Sequence, residues 1–478
     1  MNLDDEMMAS LGGIEYQPMM NHQAGANSSM MGVGRGSGVK RELDLVFILD
    51  CTGFRAKAMT FLEANQPRNR SDGAHMTTQL SSLLYSDLVQ SATKNIELIV
   101  ENILDSGKLP NPDALRIGLI AYRDYPPQDN SYITRSFDFT SDVASVKADL
   151  KTLNASGGGD GPEGVTAAMK ASLGLSWRLG GGTSRMAVLI ADAPCHGLGE
   201  YGDGFPDGGP DGEDPLEIAR LMAQQAISLF VVACEPALSG YQFGLDLFRA
   251  LTVITSAVLV PLTTASLLSH VIVGSALEQM DMERIIEEVG LVVAERVHEG
   301  QASVDDIALE LHRKLLLRGE ETKQLKFESI HRDSPEAQHN VQVLTTSPSL
   351  QQAKAHLKKI VGSRFTKKYL ETRYNRTSYV YPPSVPPRPT STSGIGSGIG
   401  SAPPGSPQRK VISEFKPFVA KGRMTLQEAP MAERLDDQEG VEEEGDAGGI
   451  ELRFGNISLD QAKRITIASA WRTQPPRA

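Results

Sequence analysis

Cysteine is scarce in this chain. Cys51, Cys195 and Cys234 are the only three in 478 residues, and no two of them form a CxxC pair. A disulfide framework needs more cysteines than this, so the pattern is typical of a protein from a reducing compartment. In such a protein the thiols serve as small core or loop residues.

Long apolar runs and an excess of basic residues are also missing. The longest apolar stretches, such as residues 227–234, are strand-sized, whereas a membrane helix needs roughly 20 apolar residues. The acidic N-terminus lacks the apolar centre of a secretory signal. A formal charge of -12 argues against nucleic-acid binding, because phosphate contacts leave a basic surface. We therefore predict a soluble, cytoplasmic protein with no nucleic-acid or membrane partner.

The common catalytic signatures are absent as well. The sequence contains no P-loop, no HExxH motif and no G-x-S-x-G motif, and each of these marks a specific catalytic geometry. We therefore predict that the protein is not an enzyme.

Short apolar runs that alternate with amphipathic segments begin at residue 41. Buried strands are predicted at 43–49, 114–122, 185–192, 227–234 and 256–262, and an edge strand at 133–139. Segments with helical spacing separate them. This alternation is typical of a doubly wound, mostly parallel α/β sheet with helices on both faces. In such a sheet, ligands bind where loops leave the carboxyl ends of the strands.

Composition divides the rest of the chain. The predicted units are a disordered tail at 1–40, the α/β domain at 41–275, a helical extension at 276–375, a disordered Pro/Gly/Ser-rich and acidic linker at 376–450, and a tail at 451–478. The last unit is predicted to hold a short helix, because Ser458 and Gln461 have the spacing of a capping box.

Three acidic loops follow predicted strands at one edge of the sheet. Asp50 and Thr52 follow the first strand, Asp160 lies just before a helix, and Asp192 ends another strand. Carboxylate and hydroxyl oxygens are the ligands that Mg²⁺ prefers, so this pattern indicates a metal site. The alternative stays open that Asp160 only caps a helix and Asp192 lies in an ordinary turn.

Four segments in this order resemble a von Willebrand factor type A (vWA) domain. They are DLVFILDCTG, IGLIAYRDYPP, GGGDGPEG and VLIADAPCHG, and the resemblance spans roughly residues 41–275. It is strongest with the intracellular type related to proteins that also carry an alpha-kinase domain. The resemblance implies a metal-ion-dependent adhesion site, in which a protein partner's acidic side chain completes the shell of Mg²⁺. The matching metal ligands are Asp50, Thr52, Asp160 and Asp192.

The first loop departs from the family pattern. Phe54 stands where the family has a ligand serine, and residues 54–85 intrude before the expected helix. One interpretation is a real insertion, with Ser82 or Ser86 replacing the missing hydroxyl. The other is a stretch foreign to the working protein, such as a translated intron. We favour the second, because a long structureless loop is rare in a compact βα turn and the family pattern resumes after it.

The resemblance implies a non-enzymatic protein-interaction module whose metal site is weakened by the loss of one first-loop ligand. The alternatives are a metal-independent vWA scaffold, or a regulatory subunit or relative of an alpha-kinase. No segment after residue 276 resembles a kinase domain. Pro383, Pro386 and Arg388 form a pattern that SH3-type domains recognise, and it predicts a second protein contact.

Overall fold

The computed structural model describes residues 41–52, 96–300, 302–375 and 450–473. Of these, the residues up to Thr372 and those of the C-terminal segment belong to one compact unit. The predicted tail at 1–40, Phe54, the 54–85 segment and the SH3-type pattern at Pro383, Pro386 and Arg388 lie outside the described residues. Among the described residues, no helix has the length and apolar character to cross a bilayer.

A six-stranded sheet forms the centre of the fold. Its strands are β1 Glu42–Asp50, β2 Leu115–Tyr122, β3 Thr134–Thr140, β4 Thr183–Ala191, β5 Ile227–Cys234 and β6 Leu259–Leu262. Their spatial order is β3-β2-β1-β4-β5-β6. Only the edge strand β3 pairs antiparallel, and the other pairs are parallel. The predicted fold class, a doubly wound and mostly parallel α/β sheet, is confirmed.

Helices cover both faces of the sheet. They are α1 (residues 96–105), α2 Val143–Lys151, α3 Val165–Leu173, α4 Pro215–Gln224, α5 Gly244–Ile254 and α6 Leu268–His298. Because successive side chains of a strand point to opposite faces, β1 contributes side chains to two hydrophobic cores. Leu45 and Phe47 pack with α1, α2 and the start of α6. Val46 and Ile48 pack with α3, α4 and α5.

Helix α6 is longer than the sequence predicts. The structure has one continuous helix of 31 residues, Leu268–His298. It therefore runs across residue 276, where composition suggests a boundary. Further helices follow: α7 Val304–Leu317, α8 Pro335–Thr346, α9 Leu350–Lys354, α10 Lys367–Asn375 and α11 Leu459–Arg472.

A second sheet joins distant parts of the chain. Strand β7 Glu321–Phe327 pairs antiparallel with β8 Ile450–Asn456, from Glu321 opposite Asn456 to Phe327 opposite Ile450. The sequence did not predict these strands. Helix α11 follows β8, and its capping box at Ser458 and Gln461 is confirmed.

Candidate metal site and its acidic neighbours

The first loop holds its carboxylate in a local turn. Asp50 is the last residue of β1, and its Oδ1 accepts the Thr52 N–H at 2.8 Å and the Thr52 hydroxyl at 2.6 Å. Both residues are buried. The Cys51 N–H donates to the Tyr122 carbonyl at 2.8 Å, so the pairing of β1 with β2 continues into the loop. The turn fixes the direction of the Asp50 carboxylate.

The third loop lies beside the first. Asp192 directly follows β4, and β4 pairs with β1 as far as Ile190 opposite Leu49. Connections run outward in opposite directions on the two sides of this strand pair, which makes it the switch point of the sheet. Switch points are where doubly wound sheets open a crevice for a ligand. Asp192 is buried there.

The acidic charge at this point raises the pKa of two buried side chains, Tyr122 and Cys234. Burial raises the pKa of the Tyr122 hydroxyl well above its usual range, and the negative charges of Asp50, Asp192 and Glu163 raise it further. Burial and then the charges of Asp192 and Asp50 do the same to the Cys234 thiol, raising its pKa well above the usual value. Asp50, Asp192 and Glu163 therefore lie around one buried hydroxyl. We call Asp50, Thr52, Asp192 and Glu163 the sheet-edge acidic group.

The second loop is held against both other loops by its backbone. The Ser156 N–H donates to the Cys51 carbonyl at 3.1 Å, and the Glu163 N–H donates to the Pro194 carbonyl at 2.9 Å. Gly164 begins helix α3, and its N–H donates to the carbonyl of Arg123 at 3.1 Å. These bonds bring Glu163 to Tyr122.

Glu163 was not among the residues predicted from the sequence. It lies three residues after Asp160, and spacing alone does not tell which carboxylate of this loop faces the first strand. The position is set by the loop's backbone contacts with its neighbours, which local sequence does not encode.

Asp160 contacts a different set of residues. Its Oδ2 accepts the Gly204 N–H at 2.5 Å and lies 4.0 Å from His196 Nδ1. Burial and a hydrogen bond shared with the Asp124 carboxyl raise the pKa of Asp160 to about 6, although the Gly204 N–H acts to lower it. The structure thus brings Asp50, Thr52 and Asp192 together and places Asp160 with Asp124 and His196.

His196 lies between two carboxylates. Its Nε2 is 2.7 Å from Asp124 Oδ1, and its Nδ1 is 2.7 Å from Asp203 Oδ1. Burial by itself lowers the pKa of His196, but the hydrogen bonds and charges of Asp124 and Asp203 outweigh it and raise the pKa to about 9. The ring is therefore an imidazolium at neutral pH, and both nitrogens donate. Asp124, Asp160, His196 and Asp203 form the acid–histidine cluster.

The acid–histidine cluster has the composition of a metal site, and in the metal-free protein its histidine is protonated. Ligand atoms of Asp124, Asp160 and His196 all lie within 4.8 Å of one another. A histidine ligand must be neutral, so a metal ion bound here would displace a proton from His196. The geometry suits a proton-sharing cluster. The sheet-edge acidic group offers only hard oxygen ligands, the set that Mg²⁺ prefers.

Part of the acid–histidine cluster was accessible from the sequence. Asp124 follows β2 by two residues, so it leaves the sheet at the same edge as Asp50 and Asp192. His196 and Asp203 belong to the loop after β4. Their pairing depends on how that loop folds back, and no spacing rule predicts it.

Comparison with known proteins gives a partial match. No family model matches the chain. A curated alpha-protein kinase, vwkA of Dictyostelium discoideum, is 30% identical over 175 residues, which is 36% of this chain and 22% of that protein. The chain thus spans less than a quarter of the length of that relative.

Solved structures share part of the architecture. BatB from Bacteroides thetaiotaomicron is 13% identical with a TM-score of 0.30 and covers 50% of this chain and 98% of its own. The mussel byssus protein PTMP1, with a zinc-occupied MIDAS motif, is 12% identical with a TM-score of 0.29, covering 49% of this chain and 44% of its own. The pilus adhesin SpaC from Lactobacillus rhamnosus GG is 11% identical with a TM-score of 0.31, covering 50% and 30%.

Proposed function

We propose that this chain is a vWA-type, non-enzymatic protein-interaction module that recruits an acidic partner through a bound Mg²⁺. The observation that carries the proposal is the position of Asp50 and Asp192 at the carboxyl ends of the paired strands β1 and β4, at the switch point of the sheet. Buried charges of one sign repel each other, and a divalent cation among them removes that repulsion.

The proposed ligands are those that the sequence predicts, Asp50, Thr52, Asp160 and Asp192, with Glu163 added from the structure. Asp50 and Asp192 supply carboxylate oxygens from neighbouring strands, and Thr52 supplies a hydroxyl. Asp160 and Glu163 belong to the same loop, and they are the two candidates for the second-loop ligand. Mg²⁺ titration of Asp160→Asn and of Glu163→Gln decides between them, because loss of the true ligand should weaken Mg²⁺ binding more.

The cation would give the edge of the sheet its partner selectivity. Mg²⁺ takes about six oxygens and keeps several of them as water. An acidic side chain of a partner replaces one such water and meets a positive centre. Without the cation, the same side chain meets the carboxylates of the sheet-edge acidic group and is repelled. Binding of the partner should therefore need the metal.

Two alternative functions each have one supporting observation. Phe54 in place of the family serine favours a metal-independent vWA scaffold. The match to part of an alpha-protein kinase favours a regulatory subunit or relative of such a kinase. A phosphotransfer assay on the full chain tests the latter.

Calorimetric titration of the EDTA-treated full chain with Mg²⁺ tests the proposal. We expect a dissociation constant below about 1 mM, and at least a tenfold weakening in Asp50→Asn and in Asp192→Asn. Asp142→Asn is the matched control, because Asp142 caps helix α2 at an exposed position and asparagine caps equally well. Absence of both heat and a melting shift with Mg²⁺ in the wild type would leave the metal-independent scaffold.

A further inference from the structure

A cavity of about 840 Å³ lies at the far edge of the central sheet, beside β6. Helix α5, strands β6 and β7, and helices α8 and α11 all contribute to its walls. Its apolar lining includes Ile254, Leu259, Phe327, Val341 and Trp471. A volume of this size is in the range of small-molecule sites, which are mostly apolar with a few placed polar groups.

Strand β6 is unsuited to pairing with another strand at this cavity. The Leu262 carbonyl accepts the Glu235 N–H and the Val258 carbonyl accepts the Val231 N–H, so these positions face β5. By alternation, Leu259 and Pro261 face the free edge. Proline has no N–H to donate to an added strand. The cavity therefore fits a small molecule better than an extended peptide.

Arg249 contributes a positive charge to the cavity wall, and the negative charges of Asp246, Asp333 and Glu235 act on it only from more than 4.0 Å away. Among the described residues it forms no ion pair within 4.0 Å. Its acidic neighbours are held by other groups: Arg364 Nη1 lies 2.5 Å from Asp246 Oδ1, and His331 Nε2 lies 2.7 Å from Glu235 Oε1. The guanidinium is thus largely enclosed and is left to bind something from the cavity side.

Three of the four acidic side chains of the cavity lining are held in ion pairs. Lys463 Nζ lies 2.5 Å from Asp305, and Arg464 Nε lies 3.2 Å from Asp460. Arg464 also pairs with the buried Glu278. The fourth acid, Asp333, accepts a hydrogen bond from the uncharged side-chain amide of Gln338, and it forms no ion pair within 4.0 Å among the described residues.

Lys326 adds a second cation to the lining, with no ion pair within 4.0 Å among the residues that the structure describes. Arg249 and Lys326 are therefore two lining cations with no ion-pair partner among the described residues, against one lining carboxylate of that kind, Asp333. An anion in the cavity can pair with Arg249.

We propose that this cavity binds an apolar monocarboxylate of the fatty-acid class. Its carboxylate pairs with Arg249, whose planar fork matches a carboxylate with two parallel hydrogen bonds. Its hydrocarbon chain lies along the wall formed by Ile254, Leu259, Val341 and Trp471. This site is separate from the sheet-edge acidic group and does not depend on the function proposed there.

Titration of the full chain with dodecanoate, below its micelle concentration, tests the proposal by calorimetry. We expect a micromolar dissociation constant, weakened at least tenfold in Arg249→Met and less in Arg249→Lys. Dodecanol, which has the same chain and no charge, should bind at least tenfold more weakly than dodecanoate. Arg313→Met is the matched control, because Arg313 is exposed and distant from the lining.

A second variant, Val253→Trp, tests the proposal even if the Arg249 variants fail to fold. Val253 lines the cavity and is 38% exposed, so Val253→Trp can fill the mouth without disturbing the core. It should reduce dodecanoate binding at least fivefold with an unchanged melting temperature. The proposal is overturned if wild type gives no dodecanoate heat, if Arg249→Met binds within twofold of wild type, or if dodecanol binds as tightly as dodecanoate.

Discussion

His196 Nε2 lies 2.7 Å from Asp124 Oδ1, deep in the loops at the carboxyl edge of the sheet. Together with the bond to Asp203, this contact raises the pKa of His196 from 6.5 to about 9, against the opposing effect of burial. A histidine whose pKa is higher in the folded protein stabilises the fold while it is protonated in both states. The contribution is complete below about pH 6.5 and is lost as the pH rises through 9.

In metal-free protein, the free energy of unfolding should therefore fall by up to about 3 kcal/mol between pH 6.5 and 9.5. Urea denaturation at a series of pH values in EDTA measures it. His196→Gln should flatten this part of the profile. His356→Gln, at an exposed position, should leave it as in the wild type. An unchanged slope in His196→Gln would show that other groups control the dependence.

Gly164→Ala should destabilise the second loop. A Cβ at this position would lie 2.4 Å from the Arg123 carbonyl oxygen, so the backbone contact must open. We expect a loss of about 1–3 kcal/mol in unfolding free energy, typical of overpacking, and weaker Mg²⁺ binding. Gly180→Ala is the control, because nothing lies within 4 Å of its added Cβ. Equal melting temperatures for the two variants would contradict the expected clash.

Glu283→Ala should weaken the attachment of the C-terminal helix. Arg472 holds Glu283 through two hydrogen bonds of 2.7 and 2.8 Å, and both side chains are largely buried. Removing one partner leaves an uncompensated charge, which costs about 3 kcal/mol. Glu310→Ala breaks an exposed pair with Arg296 and should leave stability nearly unchanged. Chemical denaturation of the two variants makes the comparison, and similar midpoints would refute the assignment.

Asp214→Ala should destabilise both helix α4 and helix α9. The carboxylate caps helix α4 by accepting the Leu216 and Glu217 N–H groups at 2.9 and 3.2 Å, and it accepts the Leu350 N–H at 2.6 Å. Loss of a cap costs about 1–2 kcal/mol. Asp214→Asn keeps the cap and should recover most of that loss. Hydrogen exchange should show faster opening of helix α9 in both variants, because the amide NH2 of asparagine cannot accept the Leu350 N–H that Oδ2 accepts.

The sequence predicts the sheet well because the signals are local. The apolar run of β1 indicates a strand covered on both faces, and the structure buries its two sets of alternating side chains in two cores. The capping box of Ser458 and Gln461 is equally local, and it is found as predicted. Strand order then places the loops of Asp50 and Asp192 side by side.

What the sequence does not predict depends on distant contacts. Strand β7 has no clear alternation, and its partner β8 follows roughly 120 residues later. Lys323 and Leu325 in β7 donate their N–H groups to Asp281 and Glu278 of helix α6. The bond of His196 to Asp124, in the loop after β2, likewise exists only after the chain has folded. No window of local sequence contains these relationships.

The late position of β8 has a consequence for synthesis on the ribosome. At the usual elongation rate, roughly 6 to 25 s pass between the emergence of β7 and that of its partner. During that interval the groove that receives helix α11 is open, and its apolar residues Ile285 and Val293 are without the cover that α11 later gives them. A chaperone that binds exposed apolar surface would find its target on the nascent chain at this stage, and it should leave when Ile465 of α11 packs there.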